Sequence, residues 1–282
     1  MVLIEYLKLT SPRIALLVML AGFAGIWAGS GGRAEPAVVF WTLLGIGLAS
    51  SGASVFNNYY DRDIDRLMQR TSGRPLPAGR LKPSGVLIFG ILLSAAAFII
   101  LIIGVNLLTA FLSLLAVFIY SFLYTVILKR RTPLATEVGG ISGALSPVIG
   151  WAAAAGSVSY ETLLLFAMMF YWQPAHFWSL ALEHEGEYKS AGIPTLAVVR
   201  SAMNTKCRSF IYILALVIAG FMPYLSGMTG RLHLIISIVL GGAYISLGLI
   251  WLFSVKNYNK KIFIFSLIYI SLIFVSIVLD IQ

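Results

Sequence analysis

The sequence predicts an all-α integral membrane protein, a single polytopic domain over residues 1–282 with nine transmembrane helices. Of the 282 residues, 59% are hydrophobic and only 11% are charged, whereas a soluble domain has about 25% charged residues. Long apolar segments also recur along the whole chain, each close to the roughly 20 residues that cross a bilayer as a helix. These two observations exclude a soluble enzyme, a disordered chain and a coiled coil.

The nine apolar segments follow one another with short connections between most of them. They cover 14–30, 37–56, 85–104, 107–128, 135–156, 160–181, 209–227, 232–254 and 262–280. Only a few residues separate the third segment from the fourth and the fifth from the sixth, which predicts two tight hairpins. The two longest connections, about 57–84 and 182–208, follow the second and sixth segments, so both are expected on the same side of the bilayer.

The distribution of positive charge predicts the orientation of the chain. With nine spans, 18 of the 20 Lys and Arg residues fall on one side, and only Arg33 and Arg231 fall on the other. Because cytoplasmic loops carry an excess of Lys and Arg, we expect the N-terminus in the cytoplasm and Gln282 outside, in the cell (inner) membrane. The basic residues flank membrane spans and do not form one patch, which argues against nucleic-acid binding.

A polar stripe is predicted to continue the end of the second segment. Asn57, Asp61 and Asp65 are four residues apart and so share one helix face, whereas Asp63 points away. Carboxylates at this spacing repel each other, and a bound cation would remove the repulsion. Oxygen ligands without His or Cys suit Mg²⁺. Such residues are costly at the end of a membrane span unless they are paired or functional.

A run of arginines lies beside the acidic stripe. Arg62, Arg66, Arg70 and Arg74 repeat every four residues and predict a second stripe, followed by a loop rich in proline from 75 to 83. Arginines that bind anionic oxygens, next to carboxylates that bind Mg²⁺, indicate a diphosphate site. The alternative is a solvated helix end with ion pairs such as Asp63 with Arg66, and spacing alone leaves both readings open.

Two features of the second long connection are less specific. Glu183, Glu185 and Glu187 repeat every two residues around a glycine, which favours a solvated loop over a helical stripe, although a second metal contribution stays open. Upstream, His176 lies among Trp172, Phe177 and Trp178. A histidine there is a structural hydrogen-bonding group or a ligand.

Three strings of residues are similar to those of one known family. The string NNYYDRDIDRLMQRTSGRPLPAGR (57–80) resembles the first aspartate-rich motif of the UbiA-type intramembrane prenyltransferases. Two more strings resemble the branch of this family that farnesylates haem: LKRRTPLATEVGGISGALSPVIGWAA (128–153) and WQPAHFWSLALEHEGEYKSAGIPTLAVV (172–199). The resemblance extends over the first seven segments and implies the nine-helix bundle of that family.

The resemblance implies a reaction and a set of site residues. The reaction is Mg²⁺-dependent transfer of a farnesyl group from farnesyl diphosphate to the 2-vinyl group of haem b, which gives haem O and diphosphate. The residues implied are Asn57, Asp61 and Asp65 for Mg²⁺–diphosphate, Glu187 as a further metal ligand, Arg13, Arg70, Arg74 and Lys129 for the phosphates, Tyr124 beside the allylic carbon, and His176 on the haem side. The implied partners are farnesyl diphosphate, haem b, membrane lipid and a downstream haem A synthase.

Two alternatives to haem farnesylation stay open at this point. A related prenyltransferase acting on a quinone precursor or on chlorophyllide would share the first motif. An ion-coupled transporter would belong to another class and would carry charges deep within its spans. Here Glu137 comes nearest to such a position. The chain also departs from the family pattern at Ser11, Glu187 and 195–197, where Lys, Asp and Met-Leu-Pro are usual.

Overall fold

The computed structural model describes residues 2–282 as a bundle of helices. The long helices are α2 (Pro12–Gly29), α3 (Pro36–Tyr60), α5 (Pro83–Gly104), α6 (Leu107–Phe118, continued as a π-helix over Ile119–Leu128), α7 (Ala135–Ala155), α8 (Tyr160–Glu183), α11 (Ala202–Leu225), α12 (Arg231–Phe253) and α13 (Asn259–Leu279). The short helices are α1 (Val2–Leu9), α4 (Arg62–Asp65), α9 (Glu185–Ser190) and α10 (Leu196–Val199). Each predicted segment lies in one long helix, apart from one or two residues at the C-terminal end of five of them.

Proline and glycine mark several helix ends. Pro12, Pro36 and Pro83 lie in the first turns of α2, α3 and α5, where a missing N–H costs nothing because it has no partner within the helix. Gly156 follows α7 with a φ of 68°, a left-handed conformation that glycine adopts without steric cost. These residues fix where the chain leaves the bundle and turns back.

Eight of the nine long helices are long and apolar enough to cross a membrane. The protein is therefore a multi-pass integral membrane protein, and the all-helical fold is confirmed. The exception is α8, which matches its neighbours in length but carries Gln173, Pro174 and His176 in its second half. Gln173 and His176 line an internal cavity. Because composition does not identify α8 as a span, the count of nine stays a prediction.

The ends of the long helices gather at two faces of the bundle. On one of them, which we call the basic face, four contacts join the connections that carry most of the Lys and Arg residues. These contacts are Glu5 with Arg80, Asp63 with Arg130, Arg70 with Glu187, and Asn257 with Glu183. At the opposite face, Thr229 forms an antiparallel bridge with Ile281. The grouping agrees with helices that alternate in direction.

A close crossing of α2 and α7 forms one side of the bundle. A Cβ atom at Gly25 would overlap the backbone carbonyl of Pro147, and one at Gly150 would overlap that of Gly22. Small residues let two membrane helices approach until their backbones touch. Next to this crossing lies a cavity of about 870 Å³, lined by residues of α2, α3, α6 with its π-helical part, α7, α8 and α13.

Candidate active site

The predicted acidic stripe continues across the junction between α3 and α4. α3 ends at Tyr60, but the Asp61 N–H donates to the Asn57 carbonyl (2.9 Å) and the Asp65 N–H donates to the Asp61 carbonyl (2.8 Å). These bonds keep the four-residue spacing of an α-helix across the junction. Asp61 is fully buried and Asp65 is 4% exposed, whereas the Asp63 side chain is 61% exposed. Asp61 and Asp65 are thus buried and Asp63 is exposed, as the four-residue spacing predicts.

Each buried carboxylate has a cationic partner, one distant in the sequence and one nine residues away. The Lys129 ammonium forms an ion pair with Asp61, and the Asn57 side-chain amide donates to the same carboxylate oxygen at 2.7 Å. An Arg74 guanidinium nitrogen lies 2.8 Å from an Asp65 oxygen. The structure therefore brings five of the predicted site residues into one hydrogen-bonded cluster at the basic face, which we call the carboxylate cluster.

The carboxylate cluster fits a hard divalent cation. Asp61 Oδ1 is buried and has no hydrogen-bond partner among residues 2–282, and a buried charged oxygen without a partner is costly. Burial also raises the pKa of the Asp65 carboxyl, while the neighbouring Arg74 lowers it. Bound Mg²⁺ would give the Asp61 oxygen a partner and would favour the charged form of Asp65. This ion is commonly held by one or two carboxylates together with substrate phosphate and water.

Glu187 is not drawn into the carboxylate cluster. Within the described chain, no three His, Cys, Asp or Glu side chains come close enough together to hold a metal ion. One Glu187 oxygen accepts the backbone N–H of Arg70 (3.1 Å), and the other lies 3.0 Å from His184 Nδ1. The Arg70 N–H also lowers the pKa of the Glu187 carboxyl. The expected third metal carboxylate instead joins the two long connections of the basic face.

The predictions for the two charged runs, a helical stripe for the arginines and a loop for the glutamates, need correction. The arginine stripe does not form, because the Thr71 hydroxyl donates to the Asp65 carbonyl (3.0 Å) and the chain continues in turns. Arg62 instead lies over the Tyr59 ring, 4.5 Å from its centroid, and only Arg74 turns back to the acidic stripe. The glutamate run is also not a plain loop, since α8 extends to Glu183 and α9 holds the other two.

The π-helical part of α6 connects the carboxylate cluster to the cavity. Tyr124 lines the cavity, and its ring centroid lies 5.3 Å from that of Tyr120 and 5.8 Å from Lys129 Nζ. The wider helical turn is closed by the Lys129 N–H, which donates to the Tyr124 carbonyl five residues back (2.8 Å). Gly139 makes room for the tyrosine, because a Cβ there would lie 2.7 Å from its ring.

His176 lies in the cavity wall far along α8. Its ring stacks between Trp172 and Phe263, at centroid distances of 4.5 and 4.4 Å, and its Nδ1 is 2.7 Å from the Ser266 hydroxyl. Arg13, at the start of α2, lines the same cavity. The structure thus places Tyr124, Arg13 and His176 around one largely apolar space next to the carboxylate cluster.

Four residues of the site were missed by reasoning from the sequence. Thr125 accepts a hydrogen bond from Asn57 (3.3 Å), Gln173 donates to the Gly140 carbonyl (2.6 Å), Ser266 contacts His176, and Arg130 binds Asp63 with both terminal nitrogens. Only Gln173 and Arg130 lie in strings that resemble the family. Nothing in the sequence of α13 distinguishes Ser266, because the segment is marked only by hydrophobicity.

A cluster of buried carboxylates with cationic partners, beside an apolar cavity between membrane helices, fits an intramembrane prenyltransferase. The sequence matches the UbiA prenyltransferase family over residues 16–276, and the chain belongs to that family. The resemblance seen in the three motifs is therefore confirmed.

Individual relatives agree with this assignment. A curated relative from Aquifex aeolicus, named Protoheme IX farnesyltransferase, is 46% identical over 98% of this chain and 94% of its own length. An apo structure of a UbiA homologue from Aeropyrum pernix K1 has a TM-score of 0.79 at 20% identity, over 95% of this chain and 98% of its own. A UbiA homologue from Archaeoglobus fulgidus bound to DMAPP and Mg²⁺ has a TM-score of 0.65 at 20% identity, over 97% and 99%.

Proposed function

We propose that this enzyme transfers a farnesyl group from farnesyl diphosphate to the 2-vinyl group of haem b and so produces haem O and diphosphate. The observation that carries the proposal is the 46% identity, over 98% of the chain, to a relative named for this activity. The site supports it, because the carboxylate cluster suits a diphosphate and the neighbouring cavity of about 870 Å³ is largely apolar. An ion-coupled transporter has no comparable support.

The carboxylate cluster is proposed to bind the diphosphate. Asp61, Asp65 and Asn57 would hold Mg²⁺, which would supply positive charge to the leaving diphosphate oxygens. Lys129 and Arg74 already lie beside these carboxylates. Both side chains are therefore placed to form ion pairs with a bound phosphate. Arg70 and Arg13 are proposed as outer phosphate contacts, since both side chains are exposed near the site.

The cavity is proposed to protect a reactive carbon. The C1–O bond of farnesyl diphosphate breaks with both electrons going to diphosphate, and C1 bonds to the terminal carbon of the vinyl group. Water then adds to the other vinyl carbon and releases one proton. Tyr124, with Tyr120 stacked beside it, presents an aromatic ring that stabilises allylic positive charge by cation–π contact. The apolar walls exclude water from the allylic carbon until this bond has formed.

The acceptor is proposed to lie on the His176 side of the cavity. The Ser266 hydroxyl contacts the imidazole at Nδ1. The other ring nitrogen, Nε2, is therefore the one proposed to face the acceptor substrate. An imidazole among aromatic rings suits an axial contact to haem iron or a hydrogen bond to a propionate. Trp172 and Phe263 hold the ring in place by stacking on both of its sides.

The location of the enzyme also follows from the charge pattern. We propose that the basic face lies in the cytoplasm and that Gln282 lies outside the cell membrane, because cytoplasmic ends carry the excess of Lys and Arg. A C-terminal reporter that is active only in the cytoplasm should then be silent, and an active one would contradict nine spans. We further propose that a haem A synthase acts on the product, in which the former vinyl group carries both the farnesyl chain and a hydroxyl.

The proposed reaction can be tested with the purified protein in detergent. Incubation with farnesyl diphosphate, haem b and Mg²⁺ should give haem O, identified by mass, and the variant Asp61→Asn should give almost none. Parallel reactions should contain a quinone precursor or chlorophyllide instead of haem. Farnesylation of one of these acceptors, with haem left unchanged, would overturn the haem assignment while leaving the family assignment intact.

A further inference from the structure

The N-terminal helix α1 packs against the loop that carries Arg74. Leu9, at the end of α1, is fully buried in one apolar cluster with Leu76 and Leu81 of this loop. Tyr6 packs edge-on against Phe89 of α5, with ring centroids 5.1 Å apart. α1 is therefore fixed both to a membrane helix and to the segment that follows the acidic stripe.

A chain of polar contacts leads from α1 to the carboxylate cluster. Glu5 Oε2 accepts a hydrogen bond from Arg80 Nε at 2.6 Å, and Arg80 Nη2 donates to the Gly73 carbonyl at 2.7 Å. The next residue is Arg74, whose guanidinium lies 2.8 Å from Asp65. Arg80 thus joins the two ends of the loop 73–80 while Glu5 holds the arginine from outside.

We propose that Glu5 is a positioning residue for the diphosphate site. This proposal rests on the proposed function, in which Arg74 binds phosphate. Glu5 fixes Arg80, Arg80 fixes the Gly73 carbonyl, and the loop then presents Arg74 to Asp65 and to the diphosphate. Glu5 itself touches neither substrate, so its loss should weaken binding of the diphosphate and leave the chemical step unchanged.

The size of the effect follows from the exposure of the contacts. The Arg80 side chain is 42% exposed and that of Glu5 is 16% exposed, and partly exposed ion pairs contribute little each. We therefore expect Glu5→Ala to raise the KM for farnesyl diphosphate about fivefold, with kcat and the KM for haem unchanged. Arg80→Ala should have at least the same effect, because it removes both contacts.

A matched control is available on the same helix. Lys8 also forms an ion pair with Glu5 (2.6 Å), but within residues 2–282 its ammonium forms no hydrogen bond or ion pair with Arg80 or the loop, so Lys8→Ala should leave the KM for farnesyl diphosphate as in wild type. The double variant Glu5→Ala/Arg80→Ala should be no worse than Arg80→Ala alone. Equal KM values for Glu5→Ala and wild type, or losses that multiply in the double variant, would overturn the proposal.

A second readout does not depend on turnover. Hydrogen exchange of the amides in 74–80, followed by mass spectrometry, should be faster in Glu5→Ala than in wild type and unchanged in Lys8→Ala. Affinity for a non-reactive farnesyl diphosphate analogue should fall in parallel. If wild type binds the analogue but never forms haem O, the acceptor assignment fails while these two comparisons still decide the role of Glu5. Exchange and affinity as in wild type would overturn that role.

Discussion

Two long connections on the basic face carry acidic residues, yet the structure uses them in different ways. In the first connection, residues 61–82, Asp61 and Asp65 turn inward and pair with Lys129 and Arg74. In the second, residues 184–201, Glu187 accepts hydrogen bonds at the surface. Spacing alone does not decide this difference, because both acidic runs place carboxylates two and four residues apart. The four-residue hydrogen bonds continue from Asn57 through Asp61 to Asp65, so these carboxylates share a buried helix face. In the second run the Glu187 N–H donates to the His184 carbonyl, and a helix end separates Glu183 from Glu187.

Acidic residues in the two connections of the basic face are therefore not equivalent. The first connection presents a buried oxygen without a partner, Asp61 Oδ1, and this is the oxygen a cation would bind. Both oxygens of Glu187 in the second connection already have partners from the protein. We therefore infer that the first connection binds the metal and the diphosphate, and that the second fixes the backbone of the first at Arg70.

The largest expected effect comes from the buried carboxylates. Asp61→Asn and Asp65→Asn should each lower turnover about 100-fold or more, because each removes negative charge from the proposed metal site. Asp63→Asn should lower turnover less than about fivefold, since this exposed carboxylate pairs with Arg130 at the surface. Haem O formation by purified variants measures all three.

The three aspartate variants form a matched series on one short segment. Each should keep the thermal unfolding midpoint within a few degrees of wild type, which separates loss of the site from loss of the fold. Equal losses of turnover for all three would contradict the division into buried and exposed carboxylates.

The next effect separates the two substrates. Arg74→Ala should weaken binding of a farnesyl diphosphate analogue about tenfold or more, because a charged hydrogen-bond donor is lost, and should leave haem binding intact. His176→Ala should do the reverse, since it removes an imidazole from the cavity wall. Haem titration followed by absorbance and a separate analogue titration give the two affinities. A His176→Ala protein with normal haem binding and turnover would assign the histidine a purely structural role.

A smaller effect is expected for the second connection. The variant Glu187→Gln keeps an oxygen that can accept the Arg70 N–H, so turnover should fall less than about fivefold. Glu187→Ala removes this acceptor, so its activity should fall further, mainly through a higher KM for farnesyl diphosphate. A loss with Glu187→Gln as large as with Asp61→Asn would remove the distinction between the two connections.

The smallest effect concerns stability and pH. The hydrogen bond from Arg130 lowers the pKa of the Asp63 carboxyl, so this pair stabilises the folded protein above the carboxyl's unfolded pKa. The contribution disappears as the pH falls through the lower folded pKa. Asp63→Asn should therefore unfold slightly more easily than wild type at pH 6, by less than about 1 kcal/mol, and the difference should vanish once the pH has fallen below the folded pKa of the Asp63 carboxyl. A difference that grows on acidification would contradict this pairing.

Much of the fold and part of the site follow from local patterns. Hydrophobicity locates all nine long helices, and the four-residue spacing places Asn57, Asp61 and Asp65 on one face even across the end of α3. The same reasoning fails for the arginines, because α4 ends at Asp65, whose carbonyl accepts the Thr71 hydroxyl, and the chain continues in turns. Periodicity describes a helix but does not reveal where side chains of a loop terminate it.

Contacts between distant segments could not be predicted in the same way. Lys129 and Asp61 are 68 residues apart, and His176 and Ser266 are 90 apart, so their pairing depends on how the helices assemble. The motif resemblance named Lys129 and His176 without giving either partner. The hydropathy of α8 is likewise lowered by Gln173 and His176, which line the cavity. This role becomes apparent only in the assembled bundle.

The most direct test of the account is the Mg²⁺ dependence of farnesyl diphosphate analogue binding in three proteins. Wild type and Glu187→Gln should bind the analogue with the same half-saturating Mg²⁺ concentration, because Glu187 lies outside the proposed metal site. Asp61→Asn should require far more Mg²⁺ or lose the dependence altogether, because it removes charge from the proposed metal ligand. If Glu187→Gln shifts the Mg²⁺ requirement as much as Asp61→Asn does, the second connection also binds the metal and the account is contradicted.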